Sequence, residues 1–165
     1  MIGDMLISEF VYKFILTVVG VALFSVIDKA RGIVTLASCI CGAAAFTVSE
    51  LLIPIYGNGF IMYLVSALVT CFLGELGARC MRVPVTVIIL PAIIPLVPGS
   101  LLYSTMKVLI NGEIESFKEY GREALLATAG IGLAIVSVSG IARLLLGLGE
   151  KFKIKDILAA LRKER

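Results

Sequence analysis

The sequence predicts an all-α integral membrane protein with five transmembrane helices, the fourth of them broken by prolines, followed by a C-terminal amphipathic helix. Hydrophobic residues make up 59% of the 165 residues and charged residues 16%, against roughly 25% charged residues in soluble proteins. Mean hydropathy is +1.05. The charged residues gather between apolar runs of about 20 residues, the length that a helix needs to cross a bilayer core of roughly 30 Å. The five spans are expected at about 7–27, 33–53, 60–78, 84–110 and 123–146.

The first two spans are predicted to form ordinary membrane helices joined by a short basic turn. The first span is expected to be retained rather than cleaved, because the chain starts with the acidic stretch MIGDMLISEF and the apolar run after it is long. Glu9 and Lys13 lie four residues apart, so they share a helix face and can form an ion pair. The second span is expected to stop before Pro54, because residues 54–59 are uncharged and turn-forming.

The third and fifth spans each carry small residues at intervals of four. Small residues on one face let membrane helices approach closely. Both spans are therefore expected to pack through these stripes, which are Ser66, Thr70, Gly74 and Ala78 in the third span and Thr128, Gly132, Val136 and Gly140 in the fifth, with Gly130, Ala134 and Ser137 beside the latter.

The fourth span cannot be one regular helix. It carries four of the five prolines of the chain, and a proline in a helix interior costs roughly 3 kcal/mol because it lacks a donor and clashes with the preceding turn. We predict half-helices at about 84–90 and 99–110, with Pro91 as a hinge and an irregular segment between them. In lipid such a segment is tolerated where it is buried in protein or lines a cavity.

The start of the second half-helix is the predicted substrate site. Pro98-Gly99-Ser100 resembles a helix start with a hydroxyl cap, and the positive end of a helix dipole inside the membrane suits an anionic group such as a carboxylate. The competing interpretation is that the prolines only kink a packing helix. The predicted binding residues are Pro95, Pro98, Gly99, Ser100, Tyr103 and Ser104.

Two carboxylates are candidates for coupling transport to an ion gradient. Ionisable residues inside a membrane protein are costly and usually functional. Glu75 lies near the inner end of the third span and Glu50 near the outer end of the second. A structural ion pair between Glu75 and Arg79, one helical turn apart, is an equally weighted alternative.

Loop charges orient the chain with its amino terminus outside and its carboxyl terminus in the cytoplasm. In that orientation every inner loop is basic and the outer loops, 54–59 and 111–120, are neutral or acidic, as the positive-inside rule requires. Residues 1–149 form one membrane domain, and residues 150–165 are expected to form a basic amphipathic helix on the membrane surface. The inner loops carry Lys29, Arg31, Arg79 and Arg82.

The composition disfavours several classes of function. The chain has no histidine and no catalytic or phosphate-binding motif, so we expect no enzyme activity, no cofactor and no metal site. The basic tail lacks interleaved aromatic residues, which disfavours nucleic-acid binding. Its four cysteines fall in apolar segments or at a cytoplasmic end and are expected to act as small hydrophobic residues, not as zinc ligands or disulfides.

The segment PAIIPLVPGSLLY, Pro91 to Tyr103, resembles the signature of the threonine/serine exporter family, ThrE, and in particular its small split subunit, the YjjB-like proteins. The P-x-x-P-G-x-x-x-Y core is the specific part. The resemblance extends from Ala30 through the fifth span and carries the family motif to Pro91, Pro95, Pro98, Gly99 and Tyr103.

The resemblance implies a carrier that exports threonine, serine or a succinate-like dicarboxylate across a bacterial cytoplasmic (inner) membrane. Full-length family members join two membrane halves, and this chain resembles only the second half. The implied partner is therefore a YjjP-like membrane subunit, equivalent to the amino-terminal half of ThrE. Carriers often pair two repeats around a site at the midplane.

Two further interpretations remain open beside the carrier. The chain could be a non-transporting accessory or assembly subunit whose broken helix serves only as an interface. It could also form a homo-oligomeric channel, although the apolar residues of the broken segment, such as Ile93 and Leu96, argue against a wet pore.

Overall fold

The computed structural model describes the backbone of residues 2–30, 32–57 and 59–163 and the side chains of residues 8–30, 32–57, 59–142 and 144. Within these ranges the chain is helical and contains no strand. In chain order the elements are α1 (Ile2–Ile27), α2 (Ile33–Tyr56), α3 (Phe60–Met81), α4 (Val85–Ile93), a 3₁₀ helix (Ile94–Leu96), α5 (Gly99–Ile110) and α6 (Ile114–Lys163).

Four continuous helical segments of the described chain are long and apolar enough to cross a bilayer. A fifth candidate is the pair Val85–Leu96 and Gly99–Ile110, whose axes differ by 52° across a short break. The described chain therefore has four candidate spans, or up to five if this bent pair is one span. The four continuous segments are Ser8–Ile27, Ile33–Tyr56, Phe60–Met81 and Ile114–Ala142.

Helix α3 lies at the centre of the bundle and packs against α2, α4 and α6, while α5 packs mainly against α6. The buried core consists largely of alanine and other small residues, which allows close helix approach. One cluster lies between α2, α3, the 3₁₀ helix and α6, and a second lies between α2, α3 and α4. The first contains Ala45, Met62, Tyr63, Ala67, Leu96, Ala127, Ile131 and Ala134, and the second Ala37, Cys41, Ala78, Ile88 and Ala92.

The small-residue stripe predicted on α3 is confirmed, because all four of its members are buried. The stripe predicted on α6 makes no packing contact within this chain, because Gly132 and Gly140 are exposed and an added Cβ at either would have no neighbour within 4 Å. The close contact is made instead by Gly130, where an added Cβ would lie 3.1 Å from the carbonyl oxygen of Phe60. Small residues occur on several faces of α6, so their spacing alone could not select the packed face.

The prolines interrupt the helices less than expected. Helix α2 continues through Pro54 to Tyr56, and α4 continues through Pro91 to Ile93. Pro91 is buried beside Ala92 in the core, so packing offsets part of the cost of a proline inside a helix. Pro95 then sits in the first turn of the 3₁₀ helix, where its fixed φ angle is tolerated. The second half-helix has the bounds predicted, residues 99–110.

The predicted cytoplasmic tail continues the last span rather than forming a separate helix in the described backbone. Helix α6 runs over 50 residues, from Ile114 to Lys163. The side chains from residue 145 onward lie outside the described residues, so the amphipathic placement of residues 150–165 on a membrane surface stays a prediction.

Candidate functional site

The break between the 3₁₀ helix and α5 is confined to Val97 and Pro98. Pro98 occupies the position before α5, with φ −76° and ψ 59°. Its carbonyl accepts from the Leu102 amide at 3.0 Å, and the Gly99 amide donates to Val97 O at 2.7 Å. No side chain caps α5, so the predicted cap by Ser100 is wrong. Ser100 lies inside the first turn of the helix, whereas a capping hydroxyl belongs to the residue before it.

The residues predicted to bind substrate border this break but are not enclosed by this chain. Pro98 is buried, and Pro95 and Ser104 are partly buried. Gly99 and Ser100 are exposed, and the Tyr103 side chain is 71% exposed. An enclosed site at these residues would therefore need a second surface to cover α5.

A cleft between α4 and α6 lies on the α4 side of the break, and Glu75 of α3 lines it. The cleft has a volume of about 440 Å³, within the roughly 300–1,000 Å³ typical of ligand pockets. Glu75 is six residues before the end of α3 at Met81, about 9 Å along the helix axis at 1.5 Å per residue. The other lining residues are Pro84, Val85, Thr86, Ile89, Leu90, Ile93, Ile135, Ser139 and Ala142.

A second cavity of about 240 Å³ meets Glu75 between α3 and α6. It is lined by Arg79 and by apolar side chains of both helices, among them Phe72 and Ile141. Glu75 and Arg79 form the ion pair that their spacing allows, with Oε2 and Nε 3.4 Å apart. The Glu75 side chain is 13% exposed and the Arg79 side chain 40% exposed. The carboxylate therefore lies inside the wall shared by the two cavities, and the guanidinium lies at the edge.

The other candidate carboxylate, Glu50, is at the opposite end of the bundle. Glu50 is partly buried near the end of α2, and its charge interacts electrostatically with that of Lys13 of α1. Lys13 itself pairs with Glu9 at 2.8 Å, as the spacing predicted. Glu50 does not line either cavity that contains Glu75, so the structure does not bring the two predicted coupling residues together.

The sequence analysis did not identify two hydroxyl residues that line the cleft, Thr86 and Ser139. Several hydroxyls of the described chain donate to a carbonyl of their own helix, as the buried Thr70 does to Ser66 O at 2.7 Å. Thr86 and Ser139 make no such bond among the described residues. No pattern in the sequence distinguishes them, because their shared position arises from the packing of α4 and α6 on α3.

The described residues contain no group of three histidine, cysteine, aspartate or glutamate side chains that could hold a metal ion. All four cysteines are free thiols, and Cys80 is the exposed one. The polar groups available are therefore one carboxylate and two hydroxyls in the cleft, and the same carboxylate with one guanidinium in the second cavity, all against apolar walls.

Comparison with known proteins gives one match. The family model described as Threonine/Serine exporter, ThrE, matches residues 13–141. No curated protein and no solved structure matches the chain.

Proposed function

Because the chain belongs to the threonine/serine exporter family, ThrE, we propose that it is one subunit of a split secondary transporter that exports small carboxylated metabolites from bacterial cytoplasm. The substrates are threonine and serine or a succinate-like dicarboxylate. Membership of a transporter family implies a carrier rather than an enzyme. The observation that carries the proposal is the family match over residues 13–141, which reaches into every candidate membrane span, joined to the break before α5.

The transport route follows α4. The cleft begins at Pro84 and reaches Ile93, four residues short of the break at Val97. A solute that enters beside Glu75 would meet the exposed start of α5 next. There it would be bound by Pro95, Pro98, Gly99, Ser100, Tyr103 and Ser104, with Pro91 as the hinge. Free amide groups at a helix start favour a carboxylate.

A YjjP-like membrane subunit completes this site. Gly99, Ser100 and Tyr103 are exposed on this chain, and α5 buries none of its residues. The exposed stripe of α6 that contains Gly132 and Gly140 offers a second surface of the kind at which membrane helices approach closely. Both surfaces suit contact with another helical subunit, and a second copy of this chain is the alternative occupant.

The same exposure favours a second candidate function, that of a non-transporting assembly subunit. To distinguish the two, tagged protein is purified from native membranes in mild detergent and its partners are identified. Everted vesicles that contain the complex are then tested with labelled threonine, serine and succinate. Saturable uptake that depends on this chain supports the carrier. Transport that continues after this chain is removed from the assembled complex supports the assembly role.

The native cysteines test the proposed orientation. With five spans and the amino terminus outside, the exposed Cys80 faces the cytoplasm, while Cys41 and Cys71 are buried. A membrane-impermeant maleimide is expected to label Cys80 in everted vesicles and not in intact cells. The variant Asn111→Cys, in the exposed turn after α5, should be labelled in intact cells. Labelling with the opposite sidedness would refute the orientation.

Gly99 tests the site at the break. A Cβ at Gly99 meets no described atom within 4 Å, so Gly99→Leu should leave the fold of this chain intact. If substrate or the partner covers this position, transport should fall by roughly tenfold or more, as expected when overpacking costs about 1–3 kcal/mol. Transport and co-purification are measured together. Unchanged transport by the Gly99→Leu complex would remove Gly99 from the site.

A further inference from the structure

We propose that Glu75 and Arg79 bind the charged head of an α-amino acid on the cytoplasmic side, with the carboxylate of Glu75 accepting from the substrate ammonium and the guanidinium of Arg79 donating to the substrate carboxylate. This inference rests on the proposed transport function and assigns it a first binding site. The site is distinct from the break at Val97 and Pro98.

The ion pair between Glu75 and Arg79 leaves donor hydrogens of the guanidinium and an acceptor oxygen of the carboxylate unused. Only the Arg79 Nε and one oxygen of Glu75 are joined, at 3.4 Å, which is long for a charge-assisted hydrogen bond. A guanidinium carries five donor hydrogens and a carboxylate has two acceptor oxygens. Neither side chain has another ion pair in the described chain. A zwitterion presents one cation and one anion, so it can bind both groups without leaving either charge unpaired.

The surroundings of the pair also fit an amino acid. Glu75 is the charged residue of a cleft whose other lining residues are mainly apolar. Apolar walls strengthen charge interactions because they exclude water. The free hydroxyls of Thr86 and Ser139 line the same cleft. Arg79 lines the neighbouring cavity, so the substrate would lie across Glu75, and the two hydroxyls can hydrogen-bond the hydroxyl of a threonine or serine side chain that reaches into the cleft.

The same arrangement disfavours a dicarboxylate. Succinate would bring a second negative charge toward Glu75 and offer no cation in return. Like charges repel strongly where water is excluded. Selection for an ammonium is therefore the property that separates this inference from the broader proposal of a carrier for carboxylated metabolites.

The test is equilibrium binding of labelled L-threonine to the purified complex, in parallel with vesicle transport. Three competitors isolate the charged groups. The first, 2,3-dihydroxybutyrate, replaces the ammonium by a hydroxyl, and the second, 1-amino-2-propanol, lacks the carboxylate. The third, phosphoethanolamine, represents the headgroup of a zwitterionic lipid. The variants are Glu75→Gln and Arg79→Gln, and the controls are Glu119→Gln and Arg122→Gln, exposed residues near the other end of the bundle.

Wild-type complex is expected to prefer L-threonine over each truncated competitor by roughly tenfold or more, since each lacks one charge-assisted interaction. In Glu75→Gln the preference for the ammonium should disappear and the preference for the carboxylate should remain. Arg79→Gln should show the reverse. A merely structural ion pair would instead weaken all ligands equally and leave both preferences intact.

Several results would overturn the inference. These are unchanged binding in both variants, equal weakening of every ligand, or lost transport with unchanged binding, which would assign Glu75 to ion coupling. Stronger competition by phosphoethanolamine than by threonine would assign the pair to lipid. Selective binding without any transport by wild-type vesicles would instead refute the proposed function and leave the binding site standing.

Discussion

Replacing Gly130 with valine is expected to separate α6 from α3 and to destabilise the protein strongly. A Cβ at this position would lie 3.1 Å from the carbonyl oxygen of Phe60 and 3.2 Å from the amide nitrogen of Leu64. Both are backbone atoms, so they cannot rotate away as a side chain can. Overpacking usually costs about 1–3 kcal/mol, and here the cost should reach the upper part of that range.

Gly132 provides the matched control on the same helix. It is exposed, with no described atom within 4 Å of an added Cβ. Alanine favours a helix interior over glycine by roughly 1 kcal/mol, so Gly132→Ala should be neutral or stabilising while Gly130→Ala destabilises. Thermal unfolding of the purified protein in detergent measures both. Equal melting temperatures for the two alanine variants would contradict the close contact between α3 and α6.

Removing the break is expected to abolish transport without preventing assembly. In the double variant Pro95→Ala/Pro98→Ala, the segment between α4 and α5 can become helical, because alanine is favoured over proline by roughly 3 kcal/mol at each interior helix position. The irregular turn at Val97 and the free start of α5 would then be lost. Transport by everted vesicles should fall by at least about tenfold, the factor that corresponds to 1.4 kcal/mol.

The control for this prediction is Pro54→Ala. Pro54 also lies inside a helix, but it is exposed in the last turn of α2 and far along the chain from the cleft. Its replacement should leave transport unchanged. Co-purification of the partner should be normal in both variants. Full transport by the double variant would show that the prolines serve packing alone, which is the competing interpretation of the proline cluster.

The sequence was sufficient for features that depend on composition and local chemistry. Apolar run length located the membrane helices, and the proline cluster located the discontinuity before Gly99. Spacing of four predicted the Glu75–Arg79 and Glu9–Lys13 pairs, both present. The stripe on α3 was predictable from the spacing of its small residues, and all four of its members are buried.

Features that depend on how helices are arranged were not predictable. Gly130 and Gly132 are equivalent in the sequence, and only contact with α3 distinguishes them. Thr86 and Ser139 are 53 positions apart, and they line the same cleft because α4 and α6 both pack beside α3. Pro91 was predicted to end its helix, but burial against the core lets α4 continue for two more residues.

The two halves of the fourth span also constrain how the chain enters the membrane during synthesis. The segment Val85–Leu96 and α5 contain 12 residues each, so each is only about 18–20 Å long. Neither half alone is long enough to cross a hydrocarbon layer of roughly 30 Å. The insertion machinery must therefore release them as one unit, and the irregular backbone at Val97 and Pro98 must be sheltered by other protein from that moment. If the pair forms one span, its biogenesis should accordingly depend on helices made before and after it, α3 and α6, and on the proposed partner subunit.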